Sequence, residues 1–114
     1  MKVNVTIASK SVIILTLQGD LIGEQSGIGL LDLLNDHIND GKKNLGIDLS
    51  EVRYMNSSGI GVLITILTKF RNAGGDIVLI NPSEQIRKLL VITKLNSIFK
   101  VFSTVEEAER FFIN

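Results

Sequence analysis

Two adjacent serines stand where a helix is expected to begin, in the run Asn56-Ser57-Ser58-Gly59-Ile60-Gly61. The first amides of a helix lack intrahelical partners, and the aligned peptide dipoles leave partial positive charge there. A serine at such a point can cap the helix by accepting one orphan N–H. The same geometry also receives a phosphate, which adds roughly −1.5 to −2 charges at pH 7. Carried on one of these serines, that charge would repel or block a docked partner without unfolding the domain. Gly59 and Gly61 strip side chains from the first turn. Another backbone can then approach the hydroxyls, at a cost of up to ~1 kcal/mol each in helix propensity.

The helix that follows is apolar over a wide arc. Ile60, Leu63, Ile64 and Leu67 form one stripe at helical spacing, and Val62, Ile66 and Phe70 form another. One buried face needs less. Deep burial between a sheet and neighbouring helices explains the excess; so does a docking patch at the margin, beside the serines. The two readings are compatible.

Other chemistry finds little support. A nucleophile elbow needs Gly two residues before the serine, and Met55 holds that place for Ser57. The single histidine, His37, falls on a polar helix face beside Asp36. Asp48 and Glu51 are expected to end a strand and solvate a loop. No catalytic set is therefore assigned. Gly59-Ile60-Gly61 opens a helix after a strand, as a dinucleotide fingerprint does, but Ile64 takes the third glycine's place. Asn81, not an acid, ends the next strand, and Gly41-Lys42-Lys43 is not a phosphate loop. Weak nucleotide binding near the turn is the most this pattern allows. No cofactor is implied.

Composition narrows the classes further. The chain has 114 residues, enough for one domain, with 12 basic and 12 acidic residues in balance. Its basic residues are scattered, without the stripe that nucleic acid requires. With no cysteine, disulfides and thiolate metal sites are excluded. The start Met1-Lys2-Val3-Asn4 lacks the apolar core of a secretory signal. The charge-free stretch from Tyr54 to Thr68 is too short to span a bilayer. A cytoplasmic protein is expected.

The elements that must position the serines alternate. Val3 to Ala8 and Val12 to Leu17 read as an antiparallel hairpin about Ser9-Lys10-Ser11. The run Val12-Ile13-Ile14-Leu15 is apolar throughout, as in a strand covered on both faces. A loop with Gly19, Asp20, Gly23 and Glu24 follows. A helix from about Glu24 to Asp40 carries Ile28, Leu31, Leu34 and Ile38, with Gly41 at its C-cap. Leu45 to Leu49 is a short strand, and Ser57 opens a helix to about Asn72. A strand over Ile77 to Ile80 precedes a short helix capped by Ser83. Leu95 to Phe102 reads as a loop into a short edge strand, and Ser103 with Glu106 as a capping box for the last helix. The fold class is α/β: one domain over residues 1–114, a mostly parallel sheet with an antiparallel first strand and about four helices.

The segment Asp48-Leu49-Ser50-Glu51-Val52-Arg53-Tyr54-Met55-Asn56-Ser57-Ser58-Gly59-Ile60-Gly61-Val62-Leu63 resembles the signature of the STAS domain of bacterial anti-sigma factor antagonists. Gly19-Asp20-Leu21, Gly74-Gly75 and the Glu106-Glu107-Ala108 helix extend the likeness over the whole chain. The resemblance implies partner switching. An unphosphorylated antagonist holds an anti-sigma factor that is also a serine kinase; phosphorylation loosens the complex, and a PP2C-type phosphatase restores it. By the same likeness the acceptor is Ser57, with Ser58 a cap or a contact. Partner contacts fall on Asn56, Ser57, Ser58, Gly59, Ile60, Gly61 and Ile22. The family pattern often has Asp at Asn56, and an acid at Ile22. Losing both carboxylates makes a phosphate easier to hold and removes groups a kinase could recognise. A STAS-like scaffold without phosphorylation is the alternative.

Overall fold

The first two apolar runs pair as the expected hairpin. In the computed structural model, which describes residues 2–22 and 24–113 and the side chains of all these except 24–28, β1 (Lys2–Ile7) lies antiparallel to β2 (Val12–Leu21). Gly23 of the expected loop and the side chain of residue 28 fall outside that description. The remaining strands are β3 (Asn44–Met55), β4 (Asp76–Ile80) and β5 (Lys100–Phe102), all parallel to β2. The sheet has five strands in the order β1-β2-β3-β4-β5. Crossovers are made by α1 (Glu24–Asn39), α2 (Ser57–Asn72) and α3 (Glu84–Ile92), and α4 (Val105–Ile113) closes the chain. A single 3-10 turn, Leu95–Ser97, precedes the short edge strand β5.

Alternation along β2 explains its unbroken apolar run. Ile13, Leu15 and Leu17 point to a core shared with Leu34 of α1, Leu63, Ile66 and Phe70 of α2, and Ile86 and Leu90 of α3. Val12 and Ile14 point the other way, to Val78 and Ile80 beneath Ala108 of α4. Full burial of each such side chain is worth about 1.5–3 kcal/mol. Three helices thus cover one face and α4 the other.

Helix ends follow local chemistry. Gly41, at φ +89°, ends α1 in a left-handed turn in which the Gly41 and Lys42 amides donate to Ile38 and His37 carbonyls. Ser83 caps α3 by accepting from the Ile86 amide at 3.4 Å. At α4 the expected frame is off by one residue. Thr104, not Ser103, supplies the cap, accepting from the Glu107 amide at 3.2 Å.

The larger correction concerns strand length. β2 runs on to Leu21 through Gly19-Asp20, and β3 runs to Met55. β4 pairs with β3 only as far as Asp48, so beyond that point β2 and β3 continue as a two-stranded ribbon. Asp48 and Glu51 therefore lie inside β3 and do not end it. At its base Leu49 and Ser50 of β3 stand opposite Leu17 alone, a β-bulge between the pairs Thr16–Asp48 and Gln18–Glu51. The Asp48 carboxylate accepts the Ser50 amide at 3.0 Å, a donor turned from the ladder by the bulge. The Asp-Leu-Ser motif thus has a geometric role: it lets β3 slip and extend.

Candidate functional site

The ribbon delivers the chain to Asn56, whose backbone is extended (φ −99°, ψ −176°) before α2 begins at Ser57. Four contacts fix this residue. Its side-chain Oδ1 accepts the Gly59 amide at 2.9 Å, and its Nδ2 donates to the Ile22 carbonyl at 3.0 Å. Its own amide donates to the Leu21 carbonyl at 3.4 Å, and its carbonyl accepts the Ile60 amide at 2.9 Å. Asn56 is thus both the cap of α2 and a clamp on the end of β2. Neither serine caps the helix.

Gly59 completes the joint. A Cβ there would lie 2.0 Å from the Leu21 carbonyl oxygen, so no side chain fits without moving the backbone. The backbone that approaches Gly59 is the protein's own. Gly61 differs: it is exposed, and a Cβ would meet nothing within 4 Å. Of the two glycines, Gly61 alone leaves a gap on the outer surface.

The hydroxyls of Ser57 and Ser58 are exposed and, among the described residues, have no hydrogen-bond partner. The Gly59 and Ile60 amides are taken by Asn56, whereas those of Ser57 and Ser58 have no partner among the described residues. The first turn of α2 contains no acid. These features leave a positive helix terminus facing outward with two hydroxyls on it. Two carboxylates of the ribbon are engaged there. Asp20 pairs with Arg53 at 3.4 Å, and Glu51 accepts from Gln18.

The elements that flank the turn carry exposed apolar side chains. Ile22 is 48% exposed, Tyr54 54% and Ile64 41%. Leu63, Ile66, Leu67 and Phe70 are buried, while Ile60 and Val62 are half-buried. Deep burial thus accounts for most of the wide arc, and Ile64 marks its exposed margin. Ser83 at the start of α3 braces the ribbon by donating to the Val52 carbonyl at 3.3 Å. Beside it, Tyr54, Met55, Ile86, Leu89 and Ile92 line a cavity of about 250 Å³ with Arg53, Gln85 and Lys88. Sequence reasoning missed this α3 flank. Its signal was Ile86, Leu89 and Ile92, spaced three residues apart on a short helix.

The seven residues expected at the site come together. Ile22 joins them through its carbonyl, which the Asn56 amide grips. His37 does not: it lies in the last turn of α1, at the opposite end of the crossover from Ser57. No helix among the described residues is long and apolar enough to cross a membrane.

Comparison with known proteins agrees with this architecture. The STAS domain profile matches residues 4–108. A Thermotoga maritima protein described as an anti-sigma factor antagonist is 30% identical over 76 residues, 67% of each chain. A crystal structure of a T. maritima protein so described superposes with a TM-score of 0.87 at 26% identity, covering 98% of this chain and 95% of that one. The anti-sigma factor antagonist SpoIIAA in its unphosphorylated form superposes at 0.80 with 20% identity, covering 94% and 92%. The phosphorylated form of SpoIIAA, from Bacillus, superposes at 0.75 with 20% identity, covering 96% and 97%. In sequence from residue 4 to residue 108, and in fold, the chain belongs to the STAS domain family.

Proposed function

We propose that the protein is an anti-sigma factor antagonist that holds an anti-sigma factor with serine kinase activity at the Ser57 turn. Phosphorylation of Ser57 ends the complex, and a PP2C-type phosphatase restores it. The observation that carries the reading is the pair of exposed hydroxyls at the start of α2, without a partner among the described residues, with Asn56 performing the cap. Because the serines are not needed to hold the helix, one of them is free to be modified. A phosphate on Ser57 would meet the positive end of α2, with no acid in the first turn to repel it. It would add roughly −1.5 to −2 charges at a turn whose flanking elements expose Ile22, Tyr54 and Ile64, side chains suited to an apolar partner. Protein docking and no chemical turnover by this chain is the role that follows. Nucleic acid and membrane have no part in it, and the site of action is the cytoplasm.

The test compares wild type, Ser57→Ala and Ser57→Asp as baits in native cytoplasm, with phosphate mapped by mass spectrometry. Wild type and Ser57→Ala are expected to retain an ATP-binding anti-sigma kinase. Ser57→Asp should lose it by tenfold or more, and phosphate should appear at Ser57 of the wild type. Equal retention by all three, with no phosphate at Ser57, would replace the switch by a constitutive scaffold.

A further inference from the structure

The first strand leaves an open edge whose hydrogen-bonding groups can be assigned. The Ala8 amide donates to the Val12 carbonyl, so the pair 8–12 is hydrogen-bonded across the hairpin. Such pairs alternate along an antiparallel ladder. With the register Thr6–Ile14, Asn4–Thr16 and Lys2–Gln18, residues 2, 4 and 6 turn their amides and carbonyls to β2. Val3, Val5 and Ile7 turn theirs outward. An edge of this kind is ordinarily blunted by a bulge, a proline, inward charge or shortness. β1 has six residues, neither bulge nor proline, and a single charge, at its first residue Lys2. The other edge, β5, has three residues and begins with Lys100.

We propose that β1 is a self-association edge, on which a second copy of this chain pairs antiparallel about a two-fold axis at Val5. Self-complementarity identifies the occupant. Val5 meets Val5, and Val3 meets Ile7 twice, so the three outward residues of each copy form six N–H···O bonds with none left over. Side chains agree with the same register. Val3 and Val5 lie against the main core, while Ile7, on the same face, is 61% exposed and would be covered by Val3 of the second copy. On the opposite face Asn4 meets Thr6 and Lys2 meets Ala8, so no like charges oppose. The two sheets would become one of ten strands, with the serine turns at opposite ends and both free. A single strand edge is small beside the roughly 1,000 Å² of a stable interface, so the dimer forms at high concentration, on the order of 100 μM.

Sedimentation equilibrium from about 10 μM to 1 mM, paired with concentration-dependent amide exchange by NMR, tests this. The wild type is expected to dimerise, with exchange at Val3, Val5 and Ile7 slowed at high concentration and exchange at Asn4 and Thr6 unchanged. Ile7→Lys changes an exposed side chain and so preserves the fold; it should weaken the dimer at least tenfold. A monomer throughout the range would overturn the proposal. So would a dimer that Ile7→Lys leaves intact, or one whose protection falls outside β1.

Discussion

The side-chain amide of Asn56 donates to the backbone carbonyl of Ile22 at 3.0 Å, joining the start of α2 to the end of β2 across 34 residues of chain. An aspartate could keep the cap on Gly59 but could not make this bond, because it has no N–H to give. The substitution that sets this chain apart from the common family pattern therefore has a structural reason of its own.

The clamp predicts an order of stabilities. Asn56→Ala removes both the cap and the bond to Ile22 and should cost about 1–2 kcal/mol. Asn56→Asp loses only the bond to Ile22, at about 1 kcal/mol, and regains about 0.3–1 kcal/mol from the helix terminus. Urea denaturation should rank wild type first, Asp close behind and Ala last. If Asp proved as damaging as Ala, the cap on Gly59 would be energetically idle.

The two glycines of the turn should respond with opposite signs. Gly59→Ala drives a Cβ into the Leu21 carbonyl and should cost about 1–3 kcal/mol or more. Gly61→Ala enters open space and should stabilise α2 by about 0.5–1 kcal/mol. Thermal melting of the two variants separates them. A neutral Gly59→Ala would mean that β2 and α2 part easily at this joint.

The start of α4 gives a cleaner test of capping. Thr104→Ala should cost about 1 kcal/mol, because Thr104 accepts the Glu107 amide. Ser103→Ala should fall within about 0.5 kcal/mol of wild type, as an exposed change away from the cap does. Denaturant midpoints of the pair settle the frame, and the reverse order would restore Ser103 as the cap.

These particulars show what was legible in the residues. The order of elements and the parallel sheet followed from alternation and helical spacing, and the Ser57 turn fell where the strand-to-helix change demanded. The ribbon did not. Gly19-Asp20 and Arg53-Tyr54 carry the polarity of a loop because the ribbon lacks β4 beside it, so its residues are solvated although extended. The bulge in β3 leaves only Asp48 and Ser50, on either side of the buried Leu49, as its trace. The cap was misread for a different reason. Asn, Ser and Thr compete for the same role, and only the tertiary bond to Ile22 favours Asn56 over its serine neighbours.

The ribbon also divides the molecule by how often it opens. Residues Leu45 to Asp48 of β3 are hydrogen-bonded between two strands, β2 and β4, whereas Glu51 to Met55 have only β2 and the Ser83 brace. The inner segment is expected to exchange its amide protons through global unfolding, and the outer one through a smaller, separate fluctuation. A molecule docked on the serine turn would suppress that smaller fluctuation alone. Occupancy would then be recorded as a local gain in protection confined to the far half of one strand.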